Sequence, residues 1–220
     1  MTKIKAVLFD LDGTLVDTAI DMIKALETLA KNHGIEKALP TADYRQYISK
    51  GSAALVHALF PELEQGNKET LRLEYLDIYK KQLNSHNQLF DGIPELLKHL
   101  DDNNIPWGIV TNKPGWLTAP LVATIPEFES AQVVISADEV GVSKPDPKPL
   151  LVAAEQMNID PSTTAYLGDA ESDITAANAA GMVSMIANWG YIAPDDTPES
   201  WQSNSEFNCA ADLVASLEER

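Results

Sequence analysis

Val7-Leu8-Phe9 is an apolar run that ends abruptly in Asp10-Leu11-Asp12-Gly13-Thr14, and this junction constrains the fold more than any other stretch. A short continuous apolar run closed by an Asp-Gly turn signal predicts a central strand of a parallel sheet, covered on both faces. In an open α/β sheet the polar site gathers beyond the carboxyl ends of the strands, so Asp10 and Asp12 are predicted to stand in that crevice and attract a cation. An isolated Asp-Gly would mean only a turn. Three further strand-end loops in the same chain argue for more than that.

After Thr14 the period changes. Leu15 to about Asn87 reads as wholly helical, with apolar residues at helical spacing in Ile23, Leu26, Leu29 and Ala30, in Leu55, Val56, Leu59 and Phe60, and in Leu71, Leu76 and Tyr79. Breaks at Gly34, Pro40, Gly51, Pro61 and Gly66 divide it into about four helices. Helices and strands then alternate. Pro94–Asp102, Trp116–Thr124, Pro147–Met157, Ser172–Ala180 and Asp212–Glu219 read as helices. Trp107–Thr111, Val133–Ser136, Thr164–Leu167 and Val183–Ile186 read as strands, while Pro194–Asn208 is polar and aperiodic and is expected to be a surface loop. The alternation predicts an α/β protein: a doubly wound parallel sheet, Rossmann-like, carrying an inserted α-helical unit.

The charge balance narrows the function. Of 220 residues, 33 are acidic and 16 are Lys or Arg, giving a formal net charge of -17. Such a chain repels nucleic acid backbones and anionic lipid surfaces, so no nucleic acid and no membrane partner is expected. It also repels a phosphorylated substrate at long range, so a phosphate site needs local compensation from a metal ion or a placed lysine. Cys209 is the single cysteine, which precludes an internal disulfide and fits a reducing compartment; it is expected to pack beside the last helix. The N-terminal apolar run is too short for a secretory core and no segment approaches the ~20 apolar residues of a membrane span, so a cytoplasmic protein is expected.

Four strand-end loops carry the groups that phosphoryl transfer demands. Asp10 and Asp12 form the first. The second is Val110-Thr111-Asn112-Lys113, where a hydroxyl and adjacent backbone N–H groups suit phosphate oxygens. Ser143-Lys144-Pro145-Asp146-Pro147 is the third, with a lysine held on a stiffened loop. In the fourth, Leu167-Gly168-Asp169-Ala170-Glu171-Ser172-Asp173, the spacing of four aims both carboxylates to one side. Singly these would be a helix cap, a solvated lysine and acids at the positive end of a helix.

In this order the loops resemble the four motifs of the haloacid dehalogenase superfamily, and the resemblance covers nearly the whole chain, including a helical cap inserted after the first motif. Within the superfamily Phe90-Asp91-Gly92-Ile93-Pro94-Glu95-Leu96-Leu97, Val110-Thr111-Asn112-Lys113, Lys144-Pro145-Asp146-Pro147 and Gly190-Tyr191-Ile192 are similar to the phosphoglycolate phosphatase group. Trp107–Pro114 and Gly190–Asp196 also resemble the narrower group of N-acetylmuramic acid 6-phosphate phosphatases. The resemblance implies a catalytic core of residues 1–15 and 90–220 and a cap of 16–89.

It further implies that Asp10 is the nucleophile of an aspartyl-phosphate mechanism and that Asp12 is the acid and base. Mg2+ would be held by Asp10, the backbone carbonyl of Asp12 and Asp169, with Asp173 positioning it. Lys144 and Thr111 would hold the phosphoryl oxygens, with Gly13, Thr14 and Asn112 lining that site. The cap loop Ser49-Lys50-Gly51 would face the substrate, and Lys50 would read a carboxylate. The alternative for Lys50 is a charge placed near a helix end.

The expected partner is a small phosphorylated metabolite, 2-phosphoglycolate or an acidic sugar phosphate such as N-acetylmuramic acid 6-phosphate, handled by a monomer or homodimer. A dehalogenase would need neither Mg2+ nor Asp12, and a transport ATPase would carry membrane helices. A sugar phosphomutase shares every motif residue. A non-catalytic binding protein on the same fold should have lost one, and none is missing. His33, His57, His86 and His99 lack paired metal-ligand spacing, and Trp107, Trp116, Trp189 and Trp201 read as core or surface-anchor aromatics.

Overall fold

The strand β1 (Ala6–Phe9), buried along its whole length, lies inside a six-stranded parallel sheet in the computed structural model, which describes residues 3–83 and 85–218. The other strands are β4 (Trp107–Thr111), β5 (Val134–Ser136), β6 (Thr164–Gly168), β7 (Val183–Ala187) and β8 (Ser205–Phe207), in the order β5-β4-β1-β6-β7-β8. Phe9 is in register with Ile109 on one side and Leu167 on the other, so β1, β4 and β6 end together. The loops that follow them therefore open on one edge of the sheet.

Successive side chains of β1 point to opposite faces, and each face has its own apolar cluster. Val7 and Phe9 pack with Ile93, Leu96 and Leu100 of α5 (Ile93–Asp102) and Leu213 of α10 (Ala210–Glu218). Leu8 packs on the other face with Leu150 and Ala153 of α8 (Lys148–Met157) and Ala176 and Ala177 of α9 (Glu171–Ala179). The sheet is thus covered on both sides, which explains why its strands read as unbroken apolar runs.

The insertion between β1 and β4 is built from α1 (Ala19–Asn32), α2 (Thr41–Arg45), α3 (Gly51–Leu59) and α4 (Gln65–Gln82). Its apolar stripes meet in a third cluster that joins Leu26, Leu29, Leu55, Val56, Tyr75 and Tyr79. The stretch is not wholly helical: β2 (Val16–Asp17) pairs antiparallel with β3 (Gln88–Leu89), so the chain enters and leaves the helices through one two-stranded ribbon. Two-residue strands are too short to show a period in sequence.

The expected surface loop at 194–208 is also more ordered than its composition implies. It contains a 3-10 turn, Pro198–Ser200, and ends in β8, which extends the sheet beside β7. A single turn, α7 (Ala137–Val140), follows β5 and was not foreseen, and α6 (Gly115–Val122) falls within a residue or two of its expected bounds. Cys209 does not pack; it is exposed just ahead of α10, whose burial is carried by Ala210 and Leu213. Glu219 of the expected last helix lies outside the described residues, as do Met1, Thr2, Asn84 and Arg220. Among the described residues no helix is long and apolar enough to cross a membrane.

Leu8 is 0% exposed between β4 and β6. Replacing it with alanine leaves a cavity that a close-packed sheet cannot collapse, and Leu8→Ala is expected to cost about 2–5 kcal/mol. Urea unfolding followed by circular dichroism measures this; a change under about 1 kcal/mol would contradict the burial assigned to β1.

Candidate active site

Asp10 leaves the end of β1, and Asp169 leaves the end of β6 beside it, so parallel pairing alone brings the two carboxylates to one edge. Asp173 arrives from the first turn of α9, where its Oδ2 accepts the backbone N–H of Ala170 at 3.0 Å and caps the helix. One oxygen from each of Asp10, Asp169 and Asp173 lies within 4.8 Å of the others, and all three residues are buried. Three buried acids so close require a cation.

Lys144 supplies one. Its Nζ lies 2.8 Å from Asp10 Oδ1 and 2.7 Å from Asp173 Oδ1, and it also donates to the Tyr166 hydroxyl and the Val110 carbonyl at 2.7 and 3.1 Å. Asn112 positions that loop: its Oδ1 accepts the backbone N–H of Lys144 at 2.9 Å and its Nδ2 donates to the Lys144 carbonyl at 3.0 Å. The Asn112 side-chain amide is thus spent on holding Lys144. Burial works against the Lys144 charge, but Asp10 and Asp173 outweigh it and hold the ammonium above the usual lysine range.

One lysine does not neutralise three acids. Burial pushes the Asp10 carboxyl up to about 7 despite Lys144, with Asp173 and Asp169 adding to the rise. Asp169 is pushed up to about 6 by burial and by Asp173, against hydrogen bonds from Ser49 and the backbone N–H of Tyr191. The protein alone therefore leaves the crevice short of positive charge. A set of carboxylate oxygens with no soft donor fits a small hard divalent ion.

Asp169 sits between two glycines. A Cβ on Gly13, whose φ is +87°, or on Gly190 would run into its carboxylate, so both positions must stay bare for the acid to reach the crevice. Thr14, expected beside phosphate, is fully buried with Oγ1 3.4 Å from Asp169 Oδ1. Thr111 is buried at the end of β4, and its Oγ1 accepts the backbone N–H of Lys113 at 3.1 Å.

Asp12 stands apart from the acidic trio. Thr18 Oγ1 donates to its Oδ1 at 2.7 Å, and Lys113 Nζ lies 3.0 and 3.2 Å from its two oxygens. Lys113 also donates to the Tyr79 hydroxyl of α4 at 2.9 Å, and its side chain is 3% exposed. Sequence reasoning passed over Lys113 as a site residue. The signal was its position two residues beyond Thr111, directly after Asn112 at a strand end.

The helical insertion reaches this edge. Ser49 Oγ donates to Asp169 Oδ2 at 2.7 Å, while Lys50 Nζ is 3.0 Å from Asp196 Oδ1 with its side chain half exposed. Lys50 is the N-cap of α3 and Gly51 its first residue, at φ +82°. A positive charge there opposes the helix dipole, so the dipole gives no reason for a lysine at this end. Tyr191 links the parts further: its N–H donates to Asp169 Oδ2 at 2.7 Å, and its hydroxyl donates to Asp17 Oδ1 at 2.8 Å under the guanidinium of Arg45.

A cavity of about 180 Å³ lies between sheet edge and helices, with Asp10, Asp12, Thr111 and Lys144 on one wall and Ser49, Ser52, Arg72 and Leu76 on the other. Lys50 lines a neighbouring cavity of about 320 Å³ with Asp169, Tyr191 and Asp196. The arrangement offers a buried carboxylate, Asp10, beside fixed positive charge and a second carboxylate, Asp12, on the same wall in different surroundings.

Known proteins resemble this chain along most of its length. Residues 7–187 match the haloacid dehalogenase-like hydrolase family. A phosphoglycolate phosphatase of Xanthomonas campestris pv. campestris is 40% identical over 200 residues, covering 91% of this chain and 90% of its own length. An N-acetylmuramic acid 6-phosphate phosphatase of Pseudomonas aeruginosa is 38% identical over 220 residues, covering 98% and 96%. A haloacid dehalogenase-like hydrolase structure from Streptococcus pneumoniae shares the fold with a TM-score of 0.81 at 21% identity, covering 98% of this chain and 99% of that one.

The raised carboxyl of Asp169 has a measurable sign. A carboxyl whose pKa is about 6 in the fold and 3.8 unfolded adds stability that is full below 3.8 and lost as pH rises through 6. In chelator-treated protein Asp169→Asn is therefore expected to raise Tm at about pH 8, with the gain shrinking below about 6 and gone near pH 4. An unchanged or lower Tm at the alkaline end, read by calorimetry, would contradict the electrostatic account.

Proposed function

We infer, from the premise that this chain belongs to the haloacid dehalogenase-like hydrolases, that it is a magnesium-dependent phosphatase of small phosphomonoesters working through an aspartyl-phosphate. The observation that carries this reading is the division of labour between Asp10, packed against Asp169, Asp173 and Lys144, and Asp12, held outside that group by Thr18 and Lys113. Two carboxylates in unlike surroundings suit two unlike roles.

Asp10 would attack phosphorus in line, so that one difficult displacement becomes two easier ones. Lys144, fixed by Asn112, would hold the phosphoryl oxygens at the mouth of β4 with the Thr111 hydroxyl. Asp12 would give its proton to the departing alkoxide and later take one from the water that splits the acyl phosphate. Mg2+ would be held by Asp10, Asp169 and the Asp12 carbonyl, with Asp173 positioning it, and would supply charge neutralisation for nucleophile and phosphate.

Residues 16–89 would serve as a cap over this core of 1–15 and 90–220. The ribbon of β2 and β3 brings both chain crossings together, and Ser49 and Lys50 touch the core from the helical side. A cap that shuts out water and completes the site fits this contact. The substrate would be 2-phosphoglycolate or an acidic sugar phosphate, as the names of the two relatives suggest, met in the cytoplasm, which suits a chain with one cysteine.

Hydrolysis of an aryl phosphate, measured with Mg2+ and after exhaustive chelation, tests the reading. Activity is expected only with the cation, and Asp10→Asn is expected to abolish it without unfolding the protein. Asp12→Asn should cost more than the ~10²–10⁴-fold typical of one acid–base group, because both half-reactions need that proton. Full activity after chelation, or either variant within a few-fold of wild type, would overturn it.

A further inference from the structure

Building on the phosphatase reading, we propose that Arg72 of α4, together with the Ser52 hydroxyl, reads a second acidic group on the substrate, and that the leaving group is a carboxylate-bearing molecule with apolar acyl surface rather than a two-carbon acid. Arg72 and Ser52 line the same cavity as Asp10 and Asp12, so one bound molecule spans both ends. Lys50 does not: its ammonium is spent on Asp196 at 3.0 Å, and it lines the neighbouring opening.

Arg72 is built as a fixed reader. Its Nε and Nη2 donate to the two oxygens of Glu69 at 2.8 and 2.7 Å, a fork-to-fork pair that fixes the guanidinium plane. Of the five N–H donors, three remain, two of them on Nη1, and among the described residues Nη1 meets only Ser52 Oγ, at the limiting distance of 3.5 Å. An oriented guanidinium edge with unspent donors beside a hydroxyl matches a carboxylate. The other cation outside the phosphate end, Lys113, is already paired with Asp12. In a chain of net charge -17, the open guanidinium edge of Arg72 on the cavity wall selects an anion.

The space between the two ends is apolar, with Met22, Ile48, Leu76 and Leu117 on its walls. A two-carbon acid offers these side chains nothing to cover, whereas an acylated sugar acid places methyl groups against them and its carboxylate at Arg72.

A matched pair isolates the contact. N-acetylmuramic acid 6-phosphate and N-acetylglucosamine 6-phosphate differ only in the lactyl ether and its carboxylate. Wild type is expected to favour the acidic member by about ten- to a hundred-fold in kcat/KM, as one charged hydrogen-bonded contact in a closed site allows. Arg72→Gln should bring the ratio close to one by raising KM for the acidic sugar, and Arg72→Lys, which keeps the charge without the fork, should restore part of it. Ser52→Ala, a small change at a half-buried position in the first turn of α3, should lower the ratio less, and reads the same contact if Arg72→Gln does not fold. An unchanged ratio in these variants, an equal loss on both sugars, or a wild type indifferent to the carboxylate would overturn the assignment while leaving the phosphatase reading intact. A wild type that hydrolyses neither sugar and no aryl phosphate would overturn that reading too.

Discussion

Lys144 lies between the carboxylates of Asp10 and Asp173, 2.8 and 2.7 Å from each, and its buried ammonium is the charge on which the crevice at the sheet edge depends. Taking an ammonium and a carboxylate out of water costs several kcal/mol per ion, and a pair regains it only where the remaining hydrogen bonds are also made. Here Tyr166, the Val110 carbonyl and the backbone of Ala170 make them. Three parallel strands end together, Asn112 fixes the Lys144 loop and two glycines give way to Asp169. The compensation is incomplete, and Asp10 and Asp169 hold their protons far above the ordinary range as a result. A site left short of one cation is primed for both metal and phosphate chemistry.

The parts that the sequence reveals are those written as long patterns. β4 falls at Trp107–Thr111 as expected because five buried residues in a row have few other readings, and Asp169 and Asp173 converge because strand end and first helical turn fix their directions. Short elements escape for the converse reason. β2, β3 and β8 have two or three residues each, below the length at which alternation can be recognised, and their pairing is set by distant partners.

The candidate site shows the same divide. Asp10, Asp169 and Asp173 gather as their motifs imply, and Lys144 reaches Asp10 from its own loop. Lys113 and Arg72 were not legible. Lys113 follows Thr111 and Asn112 in one motif, and only the approach of Tyr79 and Asp12 from other elements gives it a role. Arg72 sits three residues after Glu69 and reads as a solvated helix pair. That α4 turns its guanidinium towards the cavity is a product of helix packing in the insertion, which no local pattern encodes. Lys50, by contrast, looked like the reader of the substrate acid because loop position was visible and its partner Asp196 was not.

The account rests on Asp10 carrying the phosphoryl group, and trapping that bond tests it most directly. Protein turning over substrate with Mg2+ would be quenched in acid, reduced with borohydride and digested, so that an acyl phosphate is recorded as homoserine by mass spectrometry of the peptide around residue 10. The account predicts homoserine at position 10 and nowhere else, dependent on substrate and absent in Asp10→Asn. Steady turnover with unmodified Asp10 in every quenched sample, or homoserine at Asp12, Asp169 or Asp173 instead, would contradict it.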